Sequence, residues 1–102
     1  MANYRQIKQF CYPDDGTVNN WINGNIFSDY FPIYQLGIQG PPGTEFYLNG
    51  SIKPMKIGFS GIYDLDIRND VTISKIEFNS KSLERLDNNQ KIIVDIIYGK
   101  EE

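Results

Sequence analysis

The sequence predicts an all-β fold: a small antiparallel β-sandwich with one short helical turn and an irregular N-terminal arm. Three observations predict it. Apolar and polar residues alternate through most of 36–67, which is the period of a strand. Turn chemistry separates the alternating runs, at Pro41-Pro42-Gly43, Asn49-Gly50 and Ser60-Gly61; these pairs favour the positive φ or fixed φ that tight turns require. The chain has 102 residues, 40% of them apolar and 14% aromatic, which suits one domain with a thin core.

Taken in order, residues 1–12 carry Tyr4, Ile7, Phe10 and Cys11, a spacing that fits a short helix as well as an irregular arm. Pro13-Asp14-Asp15-Gly16 breaks the chain. Residues 17–32 place Trp21, Ile22, Ile26, Phe27, Tyr30 and Phe31 among asparagines and Gly24. Asn23-Gly24-Asn25 argues against a stable helix, so irregular chain or a short strand is expected there. The next stretch reads as three or four strands in a meander. Tyr34, Leu36 and Ile38 share one parity; so do Phe46 and Leu48, then Met55, Ile57 and Phe59, then Tyr63, Leu65 and Ile67. Arg68-Asn69-Asp70 is a turn. The phase changes between Val71/Ile73 and Ile76/Phe78, which predicts a bulge or two short strands. A short helical turn follows, capped by Ser80 or Ser82, with Leu83 and Leu86 on its apolar side. In the last strand both faces are apolar: Ile92, Val94, Ile96 and Tyr98 on one, Ile93 and Ile97 around Asp95 on the other. Such a strand is central in its sheet, or its second face meets a partner. The organisation expected is an arm at 1–32, a sandwich at 33–98 and a charged tail at 99–102.

Composition excludes several functions. Net charge is −3 with no basic cluster, so nucleic-acid binding is not expected. No apolar run is long enough to span a bilayer and no leader is recognisable, so neither membrane insertion nor export is expected. Cys11 is the sole cysteine and histidine is absent. Ser-His-Asp and Cys-His catalysis and His-containing zinc sites are therefore out. Gly37, Gly40 and Gly43 are turn glycines rather than a nucleotide fingerprint, because no helix follows. Three carboxylate patterns stand out in the sequence. Asp64, Asp66 and Asp70 have part of the spacing of a calcium loop, yet Asp64 and Asp66 alternate with apolar residues as a solvated strand face does. Asp14-Asp15 is simpler as a turn. Glu45 with Asp64 or Asp66 would form a glycosidase pair if their strands adjoined. Tyr47 and Tyr63, if exposed, could stack on sugar rings.

The strings GIQGPPGTEFYLNG, KIGFSGIYDLDI, ISKIEFNSKSLERL and KIIVDIIYG resemble a family of small structural proteins of tailed phages and prophages of low-GC Gram-positive bacteria. Gly37, Ile38, Gln39, Pro41, Pro42, Gly43, Thr44, Phe46, Tyr47 and Asn49 carry the first part of its pattern. Gly58, Gly61, Ile62, Tyr63, Leu65 and Asp66 carry the second, with Asp64 where the pattern has glutamate. Val94, Asp95, Ile96, Ile97 and Tyr98 carry the third. The resemblance covers 36–98, with a similar opening M-x-N-Y-R-Q-I, and its residues are turn and core residues. It implies a non-enzymatic virion component made in the host bacterial cytoplasm. Such a component is attached to or repeated within a capsid, neck or tail, with phage structural proteins and its own copies as partners and no cofactor or metal. Two alternatives stand beside it: a glycan-binding sandwich, and a small inhibitor of a host protein.

One further expectation concerns the interface. A sandwich built from 33–98 fills one core, leaving Trp21, Ile22, Ile26, Phe27, Tyr30 and Phe31 in surplus. They are expected to dock on a neighbouring subunit; the rival is a lid over the chain's own core.

Overall fold

The computed structural model describes residues 3–66 and 73–101. Two antiparallel sheets face each other across one apolar core. The first contains β1 (Asn3–Tyr12), β7 (Ile92–Glu101), β2 (Ile33–Gln39) and β5 (Ile62–Asp66), in the order β1-β7-β2-β5. The second contains β4 (Met55–Lys56), β3 (Glu45–Leu48) and β6 (Ile76–Phe78), in the order β4-β3-β6. Two short α-helices, α1 (Val18–Ile22) and α2 (Ser80–Glu84), and a 3₁₀-helix (Asn25–Tyr30) complete the fold. Among the described residues, no helix is long and apolar enough to cross a membrane.

The all-β class holds, and β7 is central as its two apolar faces require. It pairs with β1 from Tyr12↔Ile92 to Asn3↔Glu101, and with β2 on its other side. Ile92, Val94 and Ile96 are buried, whereas Ile93, Asp95 and Ile97 on the opposite face are half-buried.

The 36–67 stretch is not a meander. Pro41–Thr44 is a corner that carries the chain from the first sheet to the second. The Thr44 amide donates to the Pro41 carbonyl (3.2 Å) and Gly43 has φ +89°, so the turn is type II as its sequence suggests. β3 then pairs with β4 and β6, while β5 returns to β2. The Asn49-Gly50 turn forms with φ +52° and +71°, the signature of type I′. The phase change after Ile73 marks a second crossing. Ile73 bridges Ile33 beside the first sheet, and Ile76 and Phe78 pair with Leu48 and Phe46 in the second. Met55, expected in the core on the same face as Ile57, is exposed, and so is Phe59. The expected turn at Arg68-Asn69-Asp70 lies outside the described residues.

The N-terminal third departs most from expectation. It is no arm: β1 is a ten-residue strand, and residues 18–30 fill the gap between the edge strands β1 and β6. Thr17 caps α1 by accepting from the Asn20 amide (3.3 Å), and Gly24 (φ +78°) opens the 3₁₀-helix. Phe10 on β1 meets Phe27 edge-on (4.9 Å between ring centres), Phe27 meets Trp21 (5.5 Å), and Trp21 meets Phe78 on β6 (5.3 Å). Such edge-to-face pairs add to the stabilisation from burial. The Trp21 indole donates to the Asp15 carbonyl, so its one polar atom is satisfied inside. The division expected at residue 32 does not separate two cores: Phe10, Trp21 and Phe27 lie in one cluster with Ile33, Phe78 and Ile96.

At α2 the cap is Asn79, not a serine. Its side chain accepts from the Lys81 and Ser82 amides (2.9 and 3.2 Å), while the Ser82 hydroxyl accepts from the Glu45 amide (3.0 Å) and fastens the helix to β3.

Candidate interaction surface

The six predicted docking residues do not form an outer surface. Trp21 and Phe27 are fully buried, and Ile22, Ile26, Tyr30 and Phe31 are half-buried against the same core. Their apolar area closes the open side of the sandwich between β1 and β6, so the lid reading replaces the docking reading for this segment.

The chain's other candidates are also separated. Glu45, next to buried Phe46, lies on the outer side of the second sheet, where it pairs with Lys56 (3.8 Å). Asp64 is exposed on the outer side of the first sheet, opposite Gly37. The core lies between Glu45 and Asp64, so the two are not a glycosidase pair. Asp66 faces Gln35 in register and Asp70 lies outside the described residues. Among the described residues no three acids or cysteines converge to hold a metal. Tyr63 turns inward, edge-on to Phe46 at 4.9 Å, and burial raises its hydroxyl pKa; it offers no open ring for a sugar. The Cys11 thiol pKa is raised, first by desolvation and then by the carboxylates of Asp14 and Asp15, against the pull of Lys91. A thiol held protonated beside carboxylates is a poor nucleophile.

What the first sheet does expose is its outer face and one long edge. Register aligns Ile7 with Ile97 and Gln35, and Gln9 with Asp95, Gly37 and Asp64. The missing side chain of Gly37 leaves a depression of about 280 Å³ between Asp64 and Asp95, shouldered by Ile7 and Ile97. Gln9 donates to Asp95 across the strand pair (2.7 Å). Ile7 itself is 76% exposed.

The edge belongs to β1. Along an antiparallel strand, alternate residues turn their N–H and C=O towards the neighbour and away from it. The outward parity is fixed at Cys11, whose amide donates to the Asp15 carboxylate (2.9 Å) and whose carbonyl accepts from the Asp15 amide (2.7 Å). Arg5, Ile7 and Gln9 share that parity, so their backbone groups face outward. Among the described residues no strand pairs with them. Edge strands are usually guarded by projecting charges. Here both charged side chains of β1's described part fold back over rings: the Arg5 guanidinium lies 3.6 Å from the centre of the Tyr34 ring, which itself lies over Gly99, and the Lys8 ammonium lies 5.7 Å from that of Phe10. Sequence reading missed this edge because the spacing of Tyr4, Ile7 and Phe10 imitates a helix.

Comparison with protein-family models, with curated proteins and with solved structures gives no match.

Proposed function

We propose that the protein is a non-enzymatic structural subunit of a phage particle, held in a larger assembly through the first sheet. The observation that carries this is the unguarded edge of β1, a ten-residue strand with Ile7 exposed beside it. Such an edge is a template for further strand pairing. The resemblance of residues 36–98 to small phage structural proteins supplies the setting. The separation of Glu45 from Asp64 and the absence of histidine support the non-enzymatic part. Immunogold labelling of purified particles tests the reading. Label at a fixed place on the particle is expected; unlabelled particles from cells that make the protein in quantity would overturn it.

A further inference from the structure

We infer that the edge of β1 pairs with the same edge of a second copy, antiparallel about a two-fold axis through Ile7, joining the two four-stranded sheets into one. This deepens the assembly reading and rests on it, but concerns the purified chain and is tested separately.

Symmetry restricts the pairings. A two-fold axis perpendicular to the sheet sets one residue of β1 opposite its own copy, because only residues of one parity share a face. Centring on Arg5 or on Lys8 would set that cationic residue directly opposite its own copy, and like-charged residues so opposed are unfavourable. Centring on Gln9 would draw in Cys11, whose backbone groups are already held by Asp15. Centring on Gln6 sets Ile7 against Arg5 and leaves its apolar side chain beside a cation. Centring on Ile7 meets none of these objections. Arg5 then faces Gln9 of the other copy, Ile7 faces Ile7, and Gln6 faces Lys8. The outward groups of Arg5, Ile7 and Gln9 are all used, making about six backbone hydrogen bonds.

Two further observations favour a second copy over a charged partner. Ile7 is in register with Ile97, so the pairing builds an unbroken row Ile97–Ile7–Ile7–Ile97 on the outer face and covers a largely exposed apolar side chain. Gln9 also holds Asp95 across the strand pair (2.7 Å), so the acid nearest the edge already has a partner on its own chain and does not call for a cationic one.

Sedimentation velocity of the full chain over rising concentration tests the pairing. A monomer–dimer equilibrium is expected for the native sequence, and Ile7→Lys is expected to abolish the dimer while leaving the circular dichroism spectrum unchanged, since the side chain is exposed. As a positive test, Ile7→Cys in a Cys11→Ser background, oxidised with copper phenanthroline, should give a disulfide-linked dimer. Ile62→Cys, on the opposite edge strand, should not. A native chain that stays monomeric throughout, or a dimer that survives Ile7→Lys and does not link through position 7, would overturn the inference. A dimer in solution with no label on particles would instead remove the phage role and leave the pairing intact.

Discussion

Two glycines with similar backbone angles are held to different standards. Gly43 sits at φ +89° with open space where a Cβ would point, whereas a Cβ on Gly24, at φ +78°, would lie 2.1 Å from the Ile76 carbonyl oxygen. Gly43→Ala therefore meets only the backbone cost of a left-handed residue, about 1–2 kcal/mol, and Gly43→Val somewhat more because its side chain is β-branched. Gly24→Ala adds a clash with main chain that cannot rotate away, and should cost clearly more than Gly43→Ala. Urea denaturation of the two alanine variants checks the order; equal midpoints would contradict it. Only one of these glycines was legible. Pro41-Pro42-Gly43 announces its turn through neighbouring residues. The demand on Gly24 comes from Ile76, far along the chain, and no local pattern carries it.

Among the elements, α2 depends on a side chain outside its own span. Asn79 satisfies two amides of the first turn, so Asn79→Ala should destabilise by about 1 kcal/mol. Ser80→Ala should do little, because Asn79 holds the cap. Thermal melts of both variants decide between Asn79 and Ser80 as cap. The segment at 18–30 is the larger case. Trp21 is completely buried among Tyr12, Phe27 and Phe78, and Trp21→Ala should cost about 3–5 kcal/mol, a large part of a small domain's stability. Deleting residues 1–31 removes β1 as well and should leave a chain with no cooperative unfolding transition by calorimetry. A truncated protein that melts cooperatively would restore the docking-arm reading. The sequence argument counted these residues as surplus to a core built from 33–98, whereas Trp21 and Phe27 are part of that core. It could not say that the surplus seals the side between β1 and β6, because that gap exists only after both sheets have formed.

For the whole molecule, strands were legible and their partners were not. Alternation revealed β2, β3 and β5, and two apolar faces revealed the centrality of β7. Turn chemistry told where the chain bends but not that Pro41–Thr44 changes sheets instead of closing a hairpin. The first loop is tied to the start of β7 by Asp14 and Lys91, 2.9 Å apart. Lys91 lowers the Asp14 carboxyl pKa and Asp14 raises that of Lys91. A depressed carboxyl contributes stability that is present above its unfolded pKa and lost as pH falls through the folded one. A raised ammonium contributes stability that is present below its unfolded pKa and lost as pH rises through the folded one. The pair therefore supports the fold between the acid carboxylate range and the alkaline lysine range. Both side chains are largely exposed, so the effect should be small and should shrink with salt. Melting temperatures of the native chain and Lys91→Ala should differ most at neutral pH and low salt, and converge in strong acid.

The pairing of Asn3 with Glu101 and of Tyr12 with Ile92 also sets how the molecule answers to mechanical load. The outer ends of β1 and β7 lie side by side, and the hydrogen bonds between them run across the strands. A pull applied at Asn3 and Glu101 draws the two strands apart like a zipper, loading one pair of bonds at a time instead of shearing the ladder together. Tethered at those residues, the domain should open at low force in an optical trap. A tether between Tyr12 and Glu101, which drags β1 along β7, should resist a higher force. The domain would therefore hold tension well along its long strands and poorly across them.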